Sequence, residues 1–251
     1  EFILKLSKRL AQIEALITTD YDHIWDTCCD HGHLGTSLIS HQKAPNIHLV
    51  DIVPELITPL DEKLSRLFSN PYSPYTSDAD SPTPTQWKTH CLDISAMPLQ
   101  QYSGKHLIII AGIGGDLMIE CMKSIISKHP ALEIDFLVCP VRHLHTLRQQ
   151  LIELKMTLKQ EVLIKDNNIF YEIILLSNTS LPTNKQIPLK QVSPVGEAIW
   201  QGETEEERRI AEEYLKIKIQ HYQRMQPWLD DPEVEKIIKA YQDITIETVG
   251  H

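Results

Sequence analysis

Five side chains able to bind a metal or move a proton stand within six positions: Cys28, Cys29, Asp30, His31 and His33. Zinc is the first chemistry such a cluster suggests. The spacing argues against it: adjacent cysteines rarely converge on one ion, there is no Cys-x-x-Cys pair, and no second cluster supplies further ligands. No metal is expected. The cluster instead takes its place in a series of acids and glycines along the chain. Asp26 precedes it, and Gly32 and Gly35 close it. Asp51 follows at the distance where a carboxylate can accept both ribose hydroxyls of an adenosyl group. Cys91-Leu92-Asp93-Ile94 offers an acid for an adenine amino group and apolar neighbours to hold the ring. Ala111-Gly112-Ile113-Gly114-Gly115 lacks side chains where a cofactor or substrate would approach the backbone closely. Taken singly, each has an ordinary explanation as a helix cap, a solvated acid or a tight turn. The ordered combination points to a nucleoside cofactor. Gly-x-Gly-x-x-Gly is missing from the first turn and the P-loop pattern is absent, so neither a nicotinamide nor a phosphate-loop site is expected.

The elements that must position these residues can be read from periodicity. Leu6, Leu10, Ile13 and Ile17 share one helical face. Strands are expected at 23–27, 47–51, 87–92, 106–111 and 134–139, with helices over 34–40, from Pro54 through Leu67, over 116–128 and over 144–155. Strands separated by helices imply a parallel sheet covered on both faces. Two β-rich runs, 158–165 and 169–176, flank Asp166-Asn167-Asn168, whose turn chemistry predicts an antiparallel hairpin. A mostly parallel seven-stranded α/β sheet finished by such a hairpin resembles the Rossmann-like, class I fold of S-adenosylmethionine-dependent methyltransferases. The Pro-rich segment 69–85 reads as a solvent loop and 177–194 as a linker. Beyond it, 204–225 is strongly helical and a second short helix follows Pro232. The expected division is 1–194 for the α/β domain and 195–251 for a small helical, coiled-coil-like module.

Composition narrows the partners. The formal charge is −10, which excludes a protein that grips nucleic acid through overall basicity. Residues 197–251 hold seven Lys or Arg against thirteen Asp or Glu, so the helical module is the acidic part. The longest purely apolar run is Leu107 to Ala111, far short of the roughly 20 residues of a membrane span. Five cysteines without framework spacing, and no apolar leader, predict a cytoplasmic, reduced protein. The twelve histidines are expected to be mostly solvent-facing or structural.

Residues along most of the chain resemble the bacterial tRNA (adenine-N1)-methyltransferases that act on adenine 22 of tRNA. The resemblance rests on Leu6-Ser7-Lys8-Arg9-Leu10, the Asp-x-x-x-Asp-His-Gly-x-Leu signature from Asp26 to Leu34, and Ala111 to Gly115. It extends to Pro140-Val141-Arg142 with Leu147-Arg148, and to Tyr171-Glu172-Ile173-Ile174. It implies S-adenosylmethionine as cofactor, held by Asp26, Cys28, His31 and Gly32 in the first loop. Asp51 and Ile52 would lie at the ribose, Asp93 and Ile94 beside adenine, and Ala111 and Gly112 under the cofactor. The family usually carries Gly where Cys28 stands, and a Cβ there crowds the cofactor.

Attack by adenine N1 needs alignment and a carboxylate near the developing positive charge, and Asp30 is the candidate for that catalytic role. A helix cap is its alternative use. Gly114 and Gly115 are expected to give a planar base room, and Lys5, Lys8, Arg9, Arg142 and Arg148 are the candidate phosphate contacts. Two alternatives stay open: the same cofactor with a different substrate, or a non-catalytic cofactor-binding or RNA-interacting protein.

Overall fold

The computed structural model describes residues 5–68, 84–179, 190–226 and 232–246 of the 251-residue chain. Most of the Pro-rich segment and the middle of the expected linker lie outside these residues. Helix α1 (Lys8–Ala15) begins where the Ser7 side chain accepts from the Leu10 amide at 3.2 Å. Then β1 (His23–Thr27), α2 (His33–Ser40), β2 (Asn46–Asp51), α3 (Pro54–Leu67) and β3 (Gln86–Cys91) alternate, followed by β4 (His106–Ala111), α4 (Gly115–Lys128), β5 (Ile134–Cys139) and α5 (Leu144–Glu153). The hairpin strands are β6 (Thr157–Asp166) and β7 (Ile169–Ser177), and α6 (Glu205–Met225) and α7 (Pro232–Gln242) complete the chain.

The sheet order is β3-β2-β1-β4-β5-β7-β6, parallel from β3 to β5 and antiparallel where β7 pairs with β5 and β6. Successive connections run outward in opposite directions from β1 and β4, so a crevice opens at the carboxyl ends of these two strands. The near-continuous Val, Ile and Leu content of β4 and β5 fits strands buried on both faces. One core packs Trp25, Ile108, Ile110, Phe136 and Val138 under α4 and α5; the other packs Ile24, Leu49, Leu107 and Leu137 under α1, α2 and α3. Each fully buried Leu or Ile side chain contributes about 1.5–3 kcal/mol, so the position of the strand ends is strongly over-determined.

The β6–β7 turn is two residues, Asn167 and Asn168, both at positive φ (49° and 65°), the conformation a tight twisted hairpin needs. In α6, Thr204 accepts from the Glu207 amide while the Glu207 carboxylate accepts from the Thr204 amide, so the acidic run marks a helix start. Helices α6 and α7 form a third small core around Trp200, Tyr214 and Tyr241 that also takes in Leu163 and Phe170 of the hairpin. The end of the expected linker is not loose: the Leu158 amide donates to the Lys190 carbonyl at 2.8 Å, Gln191 bridges Thr157, and Val192 is buried.

Candidate active site

The first loop at the carboxyl edge is made tight by left-handed backbone. Cys28, Asp30 and Gly32 have φ of 53°, 49° and 66°. For a residue with a Cβ that conformation costs about 1–2 kcal/mol, so the loop needs outside anchors. The Cys29 amide donates to the Val50 carbonyl at 3.2 Å, and the Asp30 amide donates to Asp51 Oδ2 at 3.2 Å. Below them, Asp26 Oδ2 accepts from the Gly35 amide at 2.8 Å. Two acids of the series thus shape the loop directly. Glycine at 32 and 35 allows close packing: an added Cβ would stand 2.4 Å from the side-chain ends of Leu60 and Leu49, respectively, and Gly32 also takes the left-handed backbone.

Each acid has a different environment. Asp26 is buried, and loss of hydration, with a smaller contribution from the Asp51 charge, pushes its carboxyl up to about 7 against the pull of the Gly35 amide. Asp51 is also buried, at the end of β2, its Oδ1 accepting from the Val53 amide at 3.1 Å, with Ile52 63% exposed beside it at the rim. Asp93 is exposed and caps the next turn through the Ser95 amide at 2.8 Å. The Ser95 hydroxyl and amide hold its carboxyl below the usual range. Ile94 belongs to the first core, so Ile52 and not Ile94 is the apolar side chain open at this rim. The half-buried Cys28 thiol is pushed up to about 12, mainly by burial.

Asp30 and His31 are exposed and 3.6 Å apart. The N-cap of α2 is Gly32, with no side-chain cap, so Asp30 is not used as a helix cap. Its carboxylate is left facing solvent above the loop.

On the other side of the crevice, Gly112 has φ 86° and is exposed; an added Cβ would meet only Arg9 Nη1, at 4.0 Å. Ala111 is half-buried beside it. Gly114 and Gly115 differ from the expected open floor. Both are buried, and an added Cβ would stand 2.9 Å from Arg142 Nε at Gly114 and 2.6 Å from the His143 carbonyl oxygen at Gly115. They let α4 close against the β5–α5 loop, whose Arg142 carbonyl accepts from the Gly115 amide at 2.9 Å. Arg142 itself is exposed, Lys5 and Lys8 are exposed, and His143 pairs with Asp116.

Arg148 is a correction. It was expected as a surface phosphate contact, but its guanidinium is fully buried. Nε and Nη2 donate to Glu172 at 2.9 and 2.6 Å, Nη2 to Glu161 at 2.7 Å, and Nη1 to the Ser193 carbonyl at 3.0 Å. Glu161 also accepts the Glu197 and Ala198 amides, and Glu172 accepts from the Tyr214 hydroxyl at 2.8 Å. Removing water from α5 as it packs against the hairpin demands these carboxylates, and the network ties α5, β6, β7 and α6 together. The signal was present in β7, where Glu172 interrupts an apolar run. Among the described residues, no three His, Cys, Asp or Glu side chains converge as a metal site.

Residues 6–174 match a family model described as a methyltransferase domain. The chain belongs to that family. This methyltransferase has the same fold as an uncharacterised protein from Listeria monocytogenes (TM-score 0.70, 18% identity, 95% of this chain and 99% of the other). It is also similar to TrmK of M. capricolum, solved with the cofactor product S-adenosyl-homocysteine (0.63, 15%, 94% and 95%). A third similar structure is the B. subtilis m1A22 tRNA methyltransferase TrmK (0.59, 18%, 96% and 96%). At these identities the likeness establishes the fold, helical module included. No curated protein matches the methyltransferase in sequence. No helix among its described residues is long and apolar enough to cross a membrane.

Proposed function

We propose that the protein is a cytoplasmic S-adenosylmethionine-dependent methyltransferase that modifies N1 of an adenine in tRNA. The observation that carries this reading is the row of acids at the carboxyl ends of three adjacent strands, beside an open glycine after the fourth, in a chain whose full-length structural relatives include an m1A22 tRNA methyltransferase.

The residues present fit the cofactor. Asp51, buried at the end of β2, has both oxygens oriented by backbone amides, and ribose hydroxyls would donate to their remaining lone pairs. Ile52 offers an exposed apolar surface for adenine, and Asp93 an exposed carboxylate for its amino group. Helix α2 has no side-chain cap, so the positive end of its dipole suits the cofactor's carboxylate. Asp26 holds the loop from beneath, and space above Gly112 leaves the cofactor's reactive end uncovered. Once bound, the cofactor supplies an electrophilic methyl group on a positively charged sulfur.

The acceptor needs no strong base, because adenine N1 carries an in-plane lone pair. What the chain must supply is alignment and a counter-charge, since the base becomes cationic as it is methylated. Asp30, uncommitted to α2, accepts the adenine amino group and stabilises that charge. N1 is on the pairing edge, so the base must leave its stack to reach the crevice. With the whole chain at −10, phosphate contacts come from a local face, for which Lys5, Lys8, Arg9 and Arg142 are available.

Labelled cofactor incubated with total tRNA, followed by mapping of N1-methyladenine, tests the reading. Label at one adenine is expected. Cofactor binding without label in tRNA would promote a different acceptor, and no cofactor binding at millimolar concentration would reject the enzyme. An Asp30→Ala variant should bind cofactor as the wild type does and lose turnover about 100-fold or more; unchanged turnover would remove Asp30 from the mechanism.

A further inference from the structure

Of the four candidate phosphate contacts, Arg9 has the unusual setting. It lies half-buried on α1, its guanidinium carbon 5.1 Å from the centre of the Tyr171 ring on β7. Its backbone amide is fixed by Asp166 Oδ2 at 3.1 Å, at the tip of the hairpin. Among the described residues, apart from its chain neighbours, Nη1 of Arg9 is the atom within 4.0 Å of where a Cβ on Gly112 would stand, and the Arg9 charge pulls the Cys139 thiol, at the end of β5, downward against burial. Among the described residues the guanidinium makes no hydrogen bond or ion pair. The contrast with Arg148 is direct: there every nitrogen of the guanidinium donates. A guanidinium whose carbon sits over a ring spends none of its N–H donors on that contact, and their planar fork matches a phosphate.

Resting on the tRNA reading above, we infer that Arg9, held over the ring of Tyr171, takes the phosphate of the acceptor nucleotide and so sets its base over Gly112. Phosphate is favoured over the base itself as the Arg9 ligand by charge. The base turns cationic during methyl transfer, so a guanidinium stacked directly on it would oppose the reaction, whereas a phosphate carries the opposite sign to both. Tyr171 is then a positioning residue, and its ring face, not its hydroxyl, is what matters.

The test measures tRNA binding across a series of salt concentrations, together with methylation kinetics, in the full chain. Arg9→Ala should reduce the slope of log affinity against log salt by about one phosphate contact and raise KM for tRNA about tenfold or more, with cofactor affinity within about twofold of wild type. Arg9→Lys should keep most of the salt slope while recovering only part of the KM, because the fork is lost. Tyr171→Leu should move KM toward the Arg9→Ala value, and Tyr171→Phe should restore it. An Arg9→Ala protein with wild-type salt slope and KM overturns the inference alone, as does a Tyr171→Phe protein that behaves like Tyr171→Leu. A wild-type protein that binds no tRNA overturns the functional reading and the inference together. A drop in cofactor affinity equal to the loss in tRNA affinity would make Arg9 a determinant of the cofactor loop and also refute the assignment.

Discussion

The carboxyl edge of the sheet and the sheet face beneath it use polar residues in opposite ways. At the edge, acids and strained backbone face an open crevice: Asp30, Asp93 and Gly112 are exposed, and Cys28 and Asp30 hold left-handed conformations. On the face, four histidines from four strands are buried and close on one another. Nε2 of His23 pairs with the Ser103 carbonyl at 3.1 Å, Nδ1 of His23 with Nε2 of His48 at 3.0 Å, and Nδ1 of His48 with Nε2 of His90 at 2.9 Å. Since a carbonyl only accepts, His23 must donate from Nε2. His48 then donates from Nε2 to His23, and His90 from Nε2 to His48, each ring neutral. The same logic fixes His106, which donates to the Tyr102 carbonyl and accepts from Trp25 Nε1. The Trp25 ring lies on His48 at a centroid distance of 3.8 Å. Polar groups left without protein partners mark a place for a ligand; polar groups satisfied in one direction around a ring system hold the scaffold in register.

That comparison can be broken most forcefully at the edge. Asp51→Ala removes the carboxylate that fixes the Asp30 amide and that we propose binds the ribose, and calorimetry should find cofactor affinity weaker by about tenfold to hundredfold, with the melting temperature changed far less. The converse is expected on the face. His48→Ala leaves His23 without a donor and His90 without an acceptor in a closed core, and chemical denaturation should register a loss of about 2–4 kcal/mol. Cofactor affinity of the folded fraction should stay at the wild-type value; a matching loss of affinity would show that the two regions are coupled.

Acid should act with opposite signs on the face and at Asp26. Burial, chiefly, holds His23 and His90 down to about 4 and His48 well below its ordinary value. The neighbouring rings add to this at His23 and His48, as does Lys88 at His48 and His90; Asp22 and the Ser103 carbonyl work the other way at His23. His106 is lowered too, by burial and by His129. From about 6.5 downward the unfolded chain takes up protons that the folded rings refuse, so stability falls as pH drops toward about 4. Asp26 has the opposite sign. Its folded carboxyl binds a proton near 7, before the unfolded one does, so it adds stability as pH falls from about 7 to 3.8. Net loss is expected because the lowered histidines outnumber it, and urea titrations from pH 7.5 to 4.5 should give a shallower decline in His90→Gln than in wild type. The smallest effect is at Cys28. Replacing it by Gly relieves a left-handed residue at the cost of a freer unfolded chain, so a stabilisation within about 1 kcal/mol is expected, with cofactor affinity equal or tighter.

The edge was far more legible than the face, and the reasons are physical. Strands at 106–111 and 134–139 announce themselves as continuous apolar runs, and the Asn-Asn turn names its own hairpin. Loops after parallel strands gather at one edge, so residues 26–35, 51–53, 91–93 and 111–115 had to be neighbours once the alternation was recognised. Arg148 was misread because a helix with polar neighbours looks exposed until the hairpin and Ser193 are packed over it. His23, His48, His90 and His106 follow one another at intervals of 25, 42 and 16 positions, and only the register that puts Trp25 opposite His48 and His23 opposite His106 makes them one network.

By itself, then, the sequence determined the α/β class, the strand-end series of acids and glycines, and the absence of bulk positive charge, because each depends on local periodicity, turn chemistry or composition. Tertiary structure decided which polar groups are satisfied. It buried Asp26 and Arg148, left Asp30 and the Arg9 guanidinium open, and joined the histidines into a neutral chain. Desolvation and hydrogen-bond partnership are set by residues distant in sequence, and they separate a side chain that holds the fold from one that waits for a substrate.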